Sequence, residues 1–143
     1  NASAKNVIRS LRAAGIMGKF NFIKTRDDVG QPKPDPEIIN LTLKEARDIY
    51  PDLKLDEVLF IGDAEPDAAA AKAAGIKCIT ILDIKPSEQR SEEKLTLAKK
   101  LSALGAVVVD GYKLITGIFP IRSLSGFARH LAARFLTSSC YLT

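Results

Sequence analysis

The chain has 143 residues, which is the size of a single domain and long enough to bury a hydrophobic core. Hydrophobic residues make up 46% and charged residues 27%, values that are ordinary for a soluble globular protein. The net charge of +4 comes from lysines and arginines interspersed with acids, so we expect no nucleic-acid partner. The sequence contains no apolar run long enough to cross a membrane and no signal-peptide pattern, so we expect no membrane partner.

The two cysteines, Cys78 and Cys140, are too few to form a disulfide framework. Cys78 lies in an apolar run, which predicts a buried free thiol and a reducing compartment. We therefore expect a cytoplasmic protein. The sequence opens on Asn1 rather than on Met, which suggests a fragment or a processed form of a longer chain.

The first third of the chain predicts two helices separated by a strand and a loop. Residues 1–16 form a helix that a glycine ends, and residues 20–25 come next as a strand of imperfect alternation. Residues 26–35 form a polar loop, and its prolines keep the last part extended. Asp35 is expected to cap the next helix, which has a proline at its first position and runs to about Tyr50.

From residue 58 onwards, strands and helices alternate. Residues 58–61 are four apolar residues in a row, typical of a central parallel strand that is buried on both faces. The alternation continues with an alanine-rich helix at 67–74, a strand at 77–82, a linker at 86–90, a helix at 91–104 and a strand at 106–109. This order predicts an α/β fold, a Rossmann-like parallel sheet with helices on both faces.

The last part of the chain predicts a helical tail. We expect the α/β core to occupy residues 1–111 and the tail residues 112–143. Within the tail, residues 112–118 suggest a short helix, and residues 122–136 carry apolar side chains on one helical face. That face would either pack on the core or bind a partner, and packing is the commoner use. The last seven residues are expected to be frayed.

Two carboxylates come directly after the strand predicted at residues 58–61. Gly62 lets the backbone turn sharply, and Pro66 suits the first position of a helix. Asp63 should therefore end the strand and Asp67 should lie in the first turn of the helix. Two close carboxylates repel each other unless a cation such as Mg²⁺ lies between them, with phosphate and water completing its shell. The alternative is a solvated turn in which an aspartate stabilises the helix dipole.

Three segments of the chain together resemble the haloacid dehalogenase superfamily of phosphohydrolases. Lys33, in the proline-rich stretch 31–36, resembles the lysine motif of that family. Residues 62–67 resemble its acidic metal motif, and residues 70–76 resemble the segment that comes after this motif. The resemblance covers residues 1–82. Because ligands of parallel sheets bind at the carboxyl ends of the strands, the lysine and both aspartates should lie at this edge.

The resemblance implies roles for four residues. Lys33 would neutralise the nucleophile and the transferring phosphoryl group. Asp63 would hold Mg²⁺ directly, and Asp67 would hold it directly or through water. Asn1, in a stretch similar to the residues just after the family's Ser/Thr motif, would contact the phosphate. The implied activity is Mg²⁺-dependent hydrolysis of a small phosphomonoester, and positive charge at this edge suits phosphoryl transfer.

The sequence departs from the family pattern at the nucleophile. The family's Asp-x-Asp occurs nowhere in the chain, since Asp27 and Asp28 are adjacent rather than spaced. We therefore expect a core without its N-terminal strand and cap, inactive alone, that needs a missing N-terminal segment or a protein partner bound through the C-terminal helix. A non-catalytic module that binds Mg²⁺, phosphate or a partner is the alternative. A signalling receiver domain is disfavoured, because here the lysine precedes the acids.

Overall fold

The computed structural model describes residues 2–82 and 92–109, together with the backbone of residues 110 and 135–137. Its helices are α1 (Ala4–Ala13), α2 (Glu37–Ile49), α3 (Glu65–Ala73) and α4 (Glu92–Ala103). Its strands are β1 (Leu59–Gly62), β2 (Lys77–Leu82), β3 (Val107–Asp110) and β4 (Phe135–Thr137). Short 3₁₀ turns occur at Met17–Lys19, Arg26–Asp28 and Leu55–Glu57.

The strands form one parallel sheet in the order β3-β2-β1-β4. Phe60 of β1 is in register with Cys78 of β2, and Ile79 of β2 is in register with Val107 of β3. Helices α3 and α4 connect successive parallel strands, as a parallel arrangement requires. The predicted α/β class with a Rossmann-like parallel sheet is therefore confirmed.

The core lies on both faces of the sheet, because successive side chains of a strand point to opposite sides. Phe60 and Cys78 point to the first face, where they join buried side chains of three helices: Ile39 and Leu43 of α2, Ala68, Ala70 and Ala71 of α3, and Leu101 of α4. A second buried cluster on the other face contains Ile79, Ile81 and Val109. The buried free thiol predicted at Cys78 is confirmed.

Helix α3 lies close to the sheet because its inward residues are small. Ala70 and Ala71 are completely buried, and α3 packs on β1 and β2. Gly75 comes after the helix with a φ of +72°, a left-handed conformation that favours glycine and ends the helix as predicted. Only two residues, Asp63 and Ala64, link β1 to α3, so the turn that they form is held close to the end of the strand.

The prediction of a strand at residues 20–25 is wrong, since this segment forms no strand in the structure. A local apolar pattern does not provide a partner for the backbone ladder, which every strand needs. The free edge of β1 is instead paired with β4, with Phe60 in register with Leu136.

The tail contributes a strand where a helix was predicted. The backbone of residues 135–137 is extended and paired with β1, so the helix predicted at 122–136 does not continue through residue 136. Thr137, expected to be frayed, belongs to the same strand. The remainder of that helix, the short helix at 112–118, the linker at 86–90 and the domain boundary after residue 111 lie outside the described residues.

Helix boundaries differ from the predictions by a few residues. Helix α1 begins at Ala4, and α3 begins at Glu65, so Pro66 is its second residue rather than its first. Pro36 precedes α2, and the Asp35 carboxylate still accepts the N–H of Glu37, at 2.9 Å. In the part of the chain that the structure describes, no helix is both long and apolar enough to cross a membrane.

Candidate functional site

The acidic turn between β1 and α3 is closed by Asp67. Its Oδ2 atom accepts the backbone N–H groups of Asp63, at 3.1 Å, and of Ala64, at 3.2 Å. These two N–H groups precede the helix, so the carboxylate folds the turn back onto the first residues of α3. Asp67 is only 3% exposed. A carboxylate loses its hydration when it is buried, so its oxygens must be hydrogen-bonded within the protein.

Gly62, the last residue of β1, leaves the space that Asp67 occupies. A Cβ atom at position 62 would lie 2.5 Å from the Cβ of Asp67 and 2.8 Å from its Oδ2. These contacts are shorter than packed atoms allow, so any side chain at this position would displace the carboxylate. The glycine is therefore required by the close approach, in addition to the turn that the sequence analysis attributed to it.

Lys33 meets Asp67 in a buried ion pair. Its Nζ atom lies 2.7 Å from Asp67 Oδ1, and the two side chains are 4% and 5% exposed. The ammonium also lies 5.9 Å from the ring centroid of Phe60, within range of a weak cation–π attraction. The structure thus joins the proline-rich loop to the acidic turn through two opposite charges, which compensate part of each other's desolvation cost.

Asp63 is the solvent-exposed member of the acidic pair. Partial desolvation of its carboxyl group and the neighbouring Asp67 carboxylate raise the pKa of Asp63, and the charge of Lys33 offsets this only in part. A carboxylate whose ionisation is opposed by a second carboxylate gains from a nearby cation. Asp63 is therefore the group of this turn that has most to gain from a bound metal ion.

The carboxylates of Asp63 and Asp67 fit Mg²⁺ better than they fit a metal ion whose ligands all come from the protein. In the described ranges no group of three or more His, Cys, Asp or Glu residues forms a metal cluster. Mg²⁺ is commonly held by one or two carboxylates, with water and substrate phosphate in the other positions. Both oxygens of Asp67 already accept hydrogen bonds or the Lys33 ammonium, whereas the Asp63 side chain is exposed.

Asp28 closes the 3₁₀ turn Arg26–Asp28, and Asp27 binds the first residue of α1. The Asp28 carboxylate accepts the backbone N–H and the hydroxyl of Thr25, at 2.7 and 2.8 Å, and these bonds hold the pKa of Asp28 below its usual range. Asp27 accepts the N–H of Ala4, at 2.8 Å. Both aspartates therefore have local structural roles.

Glu37 is a residue near the site that the sequence analysis did not identify. Its Oε1 accepts the N–H of Gly30, at 3.0 Å, and its Oε2 accepts the N–H of Gln31, at 2.7 Å. These two bonds lower the pKa of Glu37. The only local signal was an acid in the first turn of a helix, which the helix dipole explains equally well.

Of the four residues predicted for the site, the structure brings three together. Lys33 contacts Asp67, and the backbone and carboxyl group of Asp63 interact with Asp67 as well. Their position at the carboxyl end of β1 agrees with the expected edge of the sheet. Asn1 lies outside the described residues, so its contact with phosphate stays a prediction.

Comparison with known proteins identifies relatives of this stretch of the chain. The family model for haloacid dehalogenase-like hydrolases matches residues 1–81. A phosphoglycolate phosphatase of Pseudomonas fluorescens is 37% identical over 62 residues, which are 43% of this chain and 21% of that protein. The pyrophosphatase PpaX of Bacillus velezensis is 39% identical over 69 residues, which are 47% of this chain and 29% of that protein.

Similarity to these relatives is restricted to part of their length. A phosphoglycolate phosphatase of Photorhabdus laumondii is 36% identical over 69 residues, and the chain again spans only 27% of it. The chain therefore spans between a fifth and a third of the length of these three relatives. No solved structure matches the chain at a significant level.

Proposed function

The chain belongs to the haloacid dehalogenase-like hydrolases, and we propose that it is part of a Mg²⁺-dependent phosphatase that acts on a small phosphomonoester. The observation that carries the proposal is the buried Lys33–Asp67 ion pair beside Asp63, at the carboxyl end of β1. A phosphoryl group in transfer spreads negative charge over its oxygens, so its catalysts are mainly fixed positive charges. Lys33 is such a charge, held in place by its partner.

The charges of the site support a requirement for a cation. Two carboxylates and one ammonium leave a net negative charge, which would repel a phosphate group. Asp63, the more exposed carboxylate, would hold Mg²⁺, and Asp67 would keep the turn and Lys33 in position. When bound, Mg²⁺ would supply positive charge to the phosphate oxygens. Lys33, beside Asp67, would donate hydrogen bonds to those oxygens.

The names of the relatives suggest which substrates to test. They describe hydrolysis of phosphoglycolate in some and of pyrophosphate in another. Both compounds are small and strongly anionic, and the net charge of +4 favours their approach. Phosphoglycolate is the phosphomonoester of the two, so it is the first substrate to test.

We propose that the nucleophile comes from residues outside this sequence. No Asp-x-Asp occurs in residues 1–143, and the aspartates nearest to that pattern, Asp27 and Asp28, accept the backbone N–H groups of Ala4 and Thr25. We therefore propose that the activity requires an upstream segment or a partner chain that brings a carboxylate to the same edge of the sheet.

The test is hydrolysis of p-nitrophenyl phosphate, phosphoglycolate and pyrophosphate with and without Mg²⁺. The chain alone should show no turnover. The chain preceded by a segment with Asp-x-Asp should show Mg²⁺-dependent turnover that Asp63→Ala abolishes, while Asp52→Ala, a change at an exposed aspartate, leaves it intact. Equal turnover in Asp63→Ala and the parent chain would refute the proposed role of the site.

A non-catalytic module is the second candidate, and the absence of Asp-x-Asp is the observation that favours it. Such a module would bind Mg²⁺, phosphate or a protein partner without hydrolysis. Binding of phosphate in the presence of Mg²⁺, combined with no turnover even when the upstream segment is supplied, would favour this candidate over the phosphatase.

The cellular compartment is proposed from Cys78. Its thiol is buried, and burial raises the pKa of Cys78, so the reactive thiolate is disfavoured. A free, unreactive thiol in the core is compatible with a reducing compartment, and we propose the cytoplasm.

A further inference from the structure

The segment that carries Lys33 has no regular secondary structure of its own. We define the Lys33 loop as residues 29–36, which connect the 3₁₀ turn Arg26–Asp28 to α2. A lysine side chain has four rotatable methylene groups, so the loop backbone must be fixed before the ammonium can have a fixed position. The position of the ammonium therefore depends on the contacts that hold the loop in place.

One carboxylate, that of Glu37, binds the first part of the Lys33 loop. Each of its oxygens accepts one backbone N–H, from Gly30 at 3.0 Å and from Gln31 at 2.7 Å. Hydrogen bonds to an ionised acceptor are stronger than those between neutral groups. Glu37 is the first residue of α2, so these bonds tie the loop to a regular element.

Further hydrogen bonds close the loop around Lys33 itself. The N–H of Asp35 donates to the carbonyl of Pro32, at 3.1 Å, and the Asp35 carboxylate accepts the N–H of Glu37, at 2.9 Å. The backbone on both sides of Lys33 is therefore connected to the same first turn of α2. The Lys33 side chain then extends from this closed loop to Asp67.

The helix dipole alone does not explain the contacts of Glu37. A first-turn acid that only stabilises the dipole needs no particular acceptor geometry. Glu37 instead directs both oxygens toward the preceding loop. We propose that Glu37 is a positioning residue that holds the Lys33 loop so that the ammonium meets Asp67, a role that rests on the function proposed above for Lys33.

The test measures the reactivity of Lys33 rather than turnover. Reductive methylation of the whole chain, with peptide mass spectrometry as the readout, gives the rate at Lys33 relative to exposed Lys5 on α1. The variants are Glu37→Gln, which keeps one acceptor oxygen, and Glu37→Ala, which removes both. Glu45→Gln is the matched control, because Glu45 lies on the same helix and pairs with Lys24 instead. Asp67→Asn removes the charge that pairs with Lys33 and gives the methylation rate of Lys33 without this ion pair.

We expect methylation of Lys33 to be about tenfold faster in Glu37→Ala, because the loop opens more often without its two hydrogen bonds to Glu37. Glu37→Gln should give a smaller increase and Glu45→Gln none, with similar melting temperatures throughout. An unchanged Lys33 rate, an equal increase in Glu45→Gln, or unfolding of both Glu37 variants would overturn the proposal. Absence of phosphate binding by the chain, or of turnover when the upstream segment is supplied, would count against the proposed function and leave this result intact.

Discussion

At the scale of single residues, the site depends on a glycine that leaves room for a carboxylate. In Gly62→Ala the new Cβ would come within 2.5 Å of the Cβ of Asp67, so the turn must shift. We expect a loss of about 1–3 kcal/mol in the free energy of unfolding, measured by urea denaturation. Gly18→Ala is the control, because a Cβ there meets nothing within 4 Å. Equal stability of the two variants would contradict the close packing of Gly62 against Asp67.

The buried pair of Lys33 and Asp67 should show strong coupling in a double-mutant cycle. Lys33→Met leaves a buried carboxylate without its cation, which costs about 3–5 kcal/mol when a buried pair is broken. Lys33→Met combined with Asp67→Asn should cost less than the sum of the two single changes, by at least about 1 kcal/mol. Urea denaturation of the four proteins gives the coupling. Additive losses would show that the two side chains do not stabilise each other.

Asp28 should contribute to stability in a pH-dependent way. Hydrogen bonds from Thr25 lower the pKa of Asp28 below its ordinary value of 3.8, so the folded chain favours the ionised form. The contribution is complete above the unfolded pKa and is lost as the pH falls through the folded pKa. Asp28→Asn should therefore be destabilising near neutral pH, and the difference from the parent chain should shrink below pH 3.8.

Thermal denaturation of Asp28→Asn and the parent chain from neutral to acidic pH measures this difference. Asp52→Asn serves as the control, because Asp52 is exposed and lies in a separate turn before β1. A difference for Asp28→Asn that is the same at every pH would mean that the stabilisation does not depend on the ionised carboxylate.

At the scale of elements, the alanines of α3 set the distance between helix and sheet. Ala70→Leu inserts a large side chain at a position with no exposed surface, and we expect a loss of about 1–3 kcal/mol in stability. Ala73→Leu, at the exposed last residue of the same helix, should change stability by about 0.5 kcal/mol or less. Urea denaturation of both variants tests this, and equal effects would contradict the close packing of α3.

The elements that could be predicted are those whose signals are local. The strand at 77–82 is indicated by a mostly apolar, β-branched run, and the turn after β1 by the order Gly62, Asp63, Asp67. The prediction of a strand at 20–25 was wrong because the alternation of apolar residues does not indicate whether a partner strand lies beside them. The pairing of β1 with β4 joins segments far apart in the sequence, and no local pattern indicates it.

The candidate site likewise combines features with a local sequence signal and contacts between distant segments that have none. Parallel strand order places the loop lysine and both aspartates at one edge, and the sequence alone supported that placement. The direct contact of Lys33 with Asp67 depends on the side-chain conformations of both residues, which their separation in the sequence does not determine. Glu37 was missed because its carboxylate acts on a preceding loop, whereas an acid at a helix start has a simpler local explanation.

At the scale of the whole molecule, the structure places the Lys33–Asp67 ion pair on the core of a haloacid dehalogenase-like hydrolase. The buried ion pair, the exposed Asp63 and the Lys33 loop all lie within residues 1–81, the part that the family model matches. Strand β4 pairs with β1 on the side opposite β2, so β1 has a neighbour on both sides. Because no Asp-x-Asp occurs in the sequence, we expect binding of metal and phosphate to be separable from turnover.

The most direct test is the affinity of the purified chain for inorganic phosphate, measured by isothermal titration calorimetry with and without Mg²⁺. We predict that phosphate binds at least about tenfold more tightly with Mg²⁺, a difference of about 1.4 kcal/mol, and that Asp63→Asn removes this gain while Asp52→Asn retains it. Equal affinity with and without Mg²⁺, or an undiminished gain in Asp63→Asn, would contradict a metal-dependent phosphate site at the carboxyl end of β1.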